Sequence, residues 1–139
     1  MSPVFKFVRR ISTTVIFPIF WTVLTLTLLC IPGYALPGLG LFGIRHLDKI
    51  AHVILFGGFV LFWAIYAWEQ QKQPVKWRIS LILITLLSIA IGIGMEYFQI
   101  AYIPNRSFDN WDIVADLIGS VIVMIILRRW GTGLQLIVK

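Results

Sequence analysis

Charge is scarce in this chain. Asp, Glu, Lys and Arg make up only 13% of its 139 residues, while 59% are hydrophobic; soluble domains carry about 25% charged residues. A chain so poor in charge cannot cover a water-facing surface, which excludes a soluble globular protein and leaves an integral membrane protein. The single cysteine, Cys30, excludes an intrachain disulfide framework. No polar stretch is long enough to build a soluble core of its own, so residues 1–139 read as one membrane domain. There is no glycine-rich phosphate loop, no nucleophile elbow and no zincin signature, and no cofactor is called for. The net charge of +6 does not point to nucleic acid, because the basic residues sit in short groups between apolar runs instead of on one soluble face.

Hydrophobic runs are abundant. Four of them, at about residues 11–31, 50–68, 77–100 and 112–130, each approach the roughly 20 residues that cross a hydrocarbon core of about 30 Å. They predict an all-α membrane protein, a four-transmembrane-helix bundle. Lys6, Arg9 and Arg10 ahead of the first run give it the look of a signal peptide. The run is too long for an h-region of about 7 to 15 residues, so it is read as a retained helix, kinked at Pro18. Residues 31–40 are punctuated by Pro and Gly and form a loop.

Four spans place both termini on one side, and the basic residues choose the side. Nine of the twelve fall in the N-tail (Lys6, Arg9, Arg10), the second connection (Lys72, Lys76, Arg78) and the C-tail (Arg128, Arg129, Lys139); only Arg45, Lys49 and Arg106 fall in the first and third connections. The expectation is a multi-pass protein of the inner or plasma membrane with cytoplasmic N- and C-termini. Five of the six acidic residues, Asp48, Glu96, Asp109, Asp112 and Asp116, then gather at the extracytoplasmic end, leaving Glu69 inside. Trp63, Trp68, Trp77, Trp111 and Trp130 lie towards span ends, as an interfacial aromatic belt would have them.

Ionisable groups at a membrane face usually pair, point into the bundle and serve a function. Asp48 and His52, four apart, share a helical face with Phe56. They read either as a general base with its orienting carboxylate, or as a helix cap beside a histidine bonded to a neighbouring helix. Glu96 and Gln99 share a face with Ser88, Gly92 and Gly94 behind them, small residues that let helices approach closely. Glu96 is then paired with Arg106 or Lys49, protonated, or catalytic; Arg106 is expected to pair with Glu96 or Asp112. Asp112, Asp116 and Gly119 follow one stripe, with Asp109 or Asn110 placed to cap the helix. His52, Glu96, Asp112 and Asp116 together have the chemistry of a hard-metal or zinc shell, but their spacing follows no dedicated metal motif, so no metal is assigned.

Taken jointly, Asp48-Lys49-x-x-His52-x-x-x-Phe56 followed by Glu96-x-x-Gln99, Pro104-x-Arg106-x-x-Asp109-x-x-Asp112-x-x-x-Asp116-x-x-Gly119 resembles the VanZ-like family, over roughly residues 48–127. That family consists of small polytopic proteins with a polar signature at one membrane face, named for a member associated with resistance to the glycopeptide teicoplanin; for most members the biochemical activity is undefined. This chain departs from the family pattern at Asp116, where asparagine is usual, and so adds a negative charge.

Two functions are carried forward. In the first, an outward polar pocket formed by residues 45–52, 96–112 and Asp116 binds a lipid headgroup or a glycopeptide-related ligand, with Asp48, Lys49, Gln99, Arg106, Asp109 and Asp116 as ligand contacts. In the second, the protein is an intramembrane hydrolase or transferase acting on a lipid-linked envelope precursor. There His52 or Glu96 is general base, Asp112 orients, and Arg106 and Lys49 hold a phosphate. Partners under both readings are membrane lipids or such a precursor. Transport by four short helices would need oligomerisation.

Overall fold

The computed structural model describes residues 14–32 and 47–137, with side chains described as far as Arg129. Expectations for Lys6, Arg9, Arg10, Arg45, Lys139 and most of the 31–40 loop lie outside the described residues. The described elements are all helices: α1 (Ile16–Leu29), α2 (Leu47–Gln71), α3 (Pro74–Tyr102) and α4 (Asn110–Ile137). Three of these, α2, α3 and α4 as far as Arg129, are long and apolar enough to cross a membrane. Helix α1 is shorter, with 14 residues, or about 21 Å at 1.5 Å per residue. Pro18 lies in its first turn, where the missing N–H costs nothing, so it does not interrupt the helix.

The joints follow local chemistry. Lys72 adopts a left-handed φ of 48° after α2, Gln73 is extended, and Pro74 opens α3 at its first turn, where proline's fixed φ suits the helix. At the far end of α3, Asn105 takes φ 56°, a conformation asparagine tolerates better than most residues. Consecutive helices therefore run antiparallel. The start of α2, the end of α3 and the start of α4 share one end, called here the carboxylate end. The opposite end, with Arg78, Arg128 and Arg129, is the arginine end.

Burial is inverted relative to a soluble bundle. The buried positions of α3 are Trp77, Leu81, Thr85, Ser88, Gly92, Glu96 and Gln99, spaced four, four, three, four, four and three apart, which is one face of a helix. Most of that face is polar or small, while Ile79, Leu83, Leu86 and Ile93 point outward. In lipid, apolar side chains gain little from facing one another, so helices are held by close packing and by hydrogen bonds. The closest approach joins α2 to α4: a Cβ on Gly119 would run into the Val53 carbonyl. Indole groups supply further ties, Trp21 Nε1 donating to the Leu55 carbonyl at 2.9 Å, Trp63 Nε1 to Thr22 Oγ1 at 3.0 Å and Trp77 Nε1 to the Ala64 carbonyl at 2.9 Å. Trp77 is thus a core residue and not part of a belt. Gly94, expected at a helix contact, faces open space.

Candidate functional site

At the carboxylate end three helix termini and one loop converge. Lys49, on the first turn of α2, directs its Nζ between Asp109 Oδ2 at 2.5 Å and Asp112 Oδ1 at 2.7 Å, with Asp48 Oδ2 at 3.3 Å. Asp109 precedes α4 and caps it as its position suggested, its Oδ1 accepting the Trp111 N–H at 2.8 Å. The Lys49 ammonium beside it holds the Asp109 carboxyl below the usual carboxylate range.

One turn deeper, His52 Nδ1 donates to Asp116 Oδ1 at 2.8 Å, and His52 Nε2 lies 3.9 Å from Asp112 Oδ2. All three side chains are buried. The imidazole stacks on Phe56, its neighbour one turn along, at 6.4 Å between ring centroids. On α3, Glu96 Oε1 accepts the Asp109 backbone N–H at 2.6 Å, which ties the loop before α4 down onto α3. Gly92, one turn below Glu96, makes room for Asp116: a Cβ there would come within 2.6 Å of Asp116 Oδ2. Deeper still, the hydroxyls of Ser88 and Ser120 are bonded at 2.8 Å.

No family model matches the chain, and no characterised protein or solved structure gives a significant match. The site therefore stands on its own geometry.

That geometry brings Lys49, His52, Glu96, Asp109, Asp112 and Asp116 into one network, with Asp48 at its exposed rim. Of the two readings of His52, the bond to a neighbouring helix holds: its carboxylate partner is Asp116 on α4, and not Asp48 on the same helix, which sits in the first turn with its side chain about half exposed. Arg106 does not pair with Glu96 or Asp112; its Nε donates to the Ile31 carbonyl at 3.3 Å, just past the end of α1. Gln99 does the same one turn away, its Nε2 donating to the Leu29 carbonyl at 2.7 Å. Both residues thus satisfy carbonyls left over where α1 stops, a need every helix terminus has. Ser120 joins the polar face as well, four residues beyond Asp116 on the same stripe, a spacing the sequence already carries.

Among the described residues, Asp48, Asp109 and Asp112 have carboxylate oxygens within 4.8 Å of one another, close enough to share a cation. The Lys49 ammonium already stands among them. The chemical character of the whole is an excess of anionic groups: five carboxylates face one lysine and one imidazole. His52 Nε2, 3.9 Å from Asp112 Oδ2 and too far for a hydrogen bond, is the ring nitrogen able to take up a proton.

Proposed function

We propose that this chain is a VanZ-like integral membrane protein of the cell envelope, whose carboxylate end faces outward and binds the ammonium group of a lipid headgroup or of a glycopeptide-related ligand. The observation that carries this reading is the Lys49 ammonium held by Asp109 and Asp112, with Asp48 nearby. It supports the reading because an ammonium is a group these oxygens can hydrogen-bond. The two bases that a phosphate clamp would need are otherwise engaged, Lys49 by carboxylates and Arg106 by a backbone carbonyl. A phosphate approaching the cluster would meet net negative charge, whereas a second ammonium would relieve it. The reading is one-sided because the polar face stops part-way along the bundle, where Phe59, Val60, Ala64, Trp77, Leu81 and Leu127 close the interior with apolar packing.

The test is headgroup selectivity. The full chain in nanodiscs should retain phosphatidylethanolamine in preference to phosphatidylcholine, whose methylated ammonium cannot donate hydrogen bonds, and Asp112→Asn should reduce that preference by roughly tenfold, the scale of one charge-assisted bond. Equal retention of both lipids by the unaltered protein would refute the reading. The resemblance adds a cellular readout: expression in a susceptible host should raise teicoplanin tolerance, and Glu96→Gln should remove the effect.

One observation favours a second reading, an intramembrane hydrolase or transferase. Asp116 fixes His52 through Nδ1 and leaves Nε2 as the basic nitrogen, the arrangement of a general base and its orienting carboxylate. Under that reading turnover of a lipid-linked precursor falls with His52→Gln while precursor binding stays.

A further inference from the structure

A second charged surface lies at the arginine end and takes no part in the site above. Lys72, Lys76, Arg78, Arg128 and Arg129 are all exposed there. Lys76 and Arg78 flank Trp77, and Arg128 and Arg129 follow Leu127; Trp77 and Leu127 belong to the same packed cluster, so the four basic groups fall at one level of the bundle. Lys72 occupies the turn that leads into α3. The described ion pairs all lie at the opposite end, and none of these five residues joins one. Glu69, the acidic residue at this end, is buried.

Four cations at one level, with Lys72 in the adjoining turn and no ion pair to any of them among the described residues, repel one another, and a counter-charge from outside the chain relieves that repulsion. The surroundings define its form. Beneath the basic groups lie exposed aliphatic side chains, Ile79 and Ile82 on α3 and Ile125 and Ile126 on α4. Trp68 and Trp77 meet edge to face at 5.4 Å between them. Exposed cations at the end of a hydrocarbon-facing surface fit an anionic headgroup with acyl chains attached. It does not suit a free anion, which has no use for the aliphatic part, nor a zwitterionic lipid, which brings its own ammonium. Basic groups between or beside membrane helices are a known basis for recognition of acidic lipids.

We propose that Lys72, Lys76, Arg78, Arg128 and Arg129 form a binding surface for an anionic phospholipid, with the phosphate among the cations and the acyl chains along α3 and α4. This surface is independent of the function proposed for the carboxylate end.

The experiment compares the full chain in nanodiscs of phosphatidylcholine alone and of phosphatidylcholine containing a minor fraction of phosphatidylglycerol. Melting temperature and the lipids retained on release into the gas phase are both recorded. The unaltered protein should be enriched in phosphatidylglycerol by at least about tenfold and should melt higher in its presence, since each cation near an acidic surface adds roughly fivefold in affinity. Arg78→Gln, Arg128→Gln and Arg129→Gln combined should bring retention of the two lipids close to parity, whereas Lys76→Arg with Arg128→Lys should keep the preference. If the triple variant fails to fold, salt gives the answer on the unaltered protein: the preference should weaken between about 0.05 M and about 0.5 M sodium chloride as the screening length shortens. Equal retention of both lipids, a preference that survives the triple substitution at unchanged helicity, or one indifferent to salt would each overturn the proposal. So would an equal rise in melting temperature with inorganic phosphate alone.

Discussion

At the end where α2 and α4 begin, acidic and basic side chains turn inward and bond to one another; at the end where α3 begins, the basic side chains turn outward, and the interior is closed by indole and aliphatic packing. Buried charge is costly in a low-dielectric interior unless it is paired and hydrogen-bonded, and removing one partner leaves the other stranded. Exposed charge at a membrane face costs little and steers orientation and lipid contact. Within one small bundle, then, the carboxylate end holds strain-sensitive polar chemistry and the arginine end holds the scaffold. Substitutions matched between the two ends should separate these roles.

The largest effect is expected from Lys49→Met. It leaves Asp109 and Asp112 facing each other without their shared cation, and Asp112 is only 7% exposed at its side chain. Breaking a buried pair in this way costs about 3 kcal/mol or more, which unfolding in mixed micelles would register; a loss below about 1 kcal/mol would mean that the cluster is better solvated than its burial indicates. Gly92→Ala comes next. Its Cβ would meet Asp116 Oδ2 at 2.6 Å, and overpacking of this kind costs about 1–3 kcal/mol. Gly94→Ala, two residues away and facing open space, should cost nothing. If the two alanine variants melt together, the α3–α4 contact at Asp116 is not as tight as described.

At the arginine end, Trp77→Phe removes the hydrogen bond to the Ala64 carbonyl and part of a buried ring, a combined loss of about 2 kcal/mol. Arg129→Gln should stay within about 0.5 kcal/mol at any one lipid composition, as surface substitutions do.

Acidity should act at the carboxylate end. The Asp109 carboxyl titrates below its ordinary range because Lys49 donates to it. A lowered value in the fold means that the ionised form is favoured there. Its contribution is complete above the unfolded carboxylate value of about 4 and disappears as pH drops through the folded value below that. Asp109→Asn should therefore flatten the fall in melting temperature on acidification. An unchanged acid limb would assign that limb to other carboxylates.

Much of the fold was legible in the chain because lipid leaves few options: long apolar runs must be helices, and the Pro74 and Pro104 regions must be joints. The Asp112–Asp116–Gly119 stripe and the Asp109 cap were also readable, since both depend on spacing within one helix. What could not be read was which helix each polar group answers to. His52 has a carboxylate four residues away in Asp48, yet bonds to Asp116, 64 residues on; that choice depends on how α2 and α4 pack through Gly119. Arg106 looked like a partner for Glu96, but the carbonyls at the end of α1 claim it, and where α1 ends is not encoded near Arg106. Gly94 and Gly92 are indistinguishable by type, and only the rotation of α3 against α4 separates them.

The central claim is that the carboxylate end is a ligand site and more than a set of bonds holding the helices together, and Glu96→Gln tests it most directly. The amide keeps the shape of the side chain and an oxygen to accept the Asp109 N–H, but removes one negative charge from the network. Melting temperature and phosphatidylethanolamine retention are measured on the same nanodisc preparation. For a ligand site, the expected result is a melting temperature close to that of the unaltered protein together with a roughly tenfold loss of retention, the scale of one charged contact. Full retention at unchanged stability, or a collapse in stability that carries retention down with it, would contradict it.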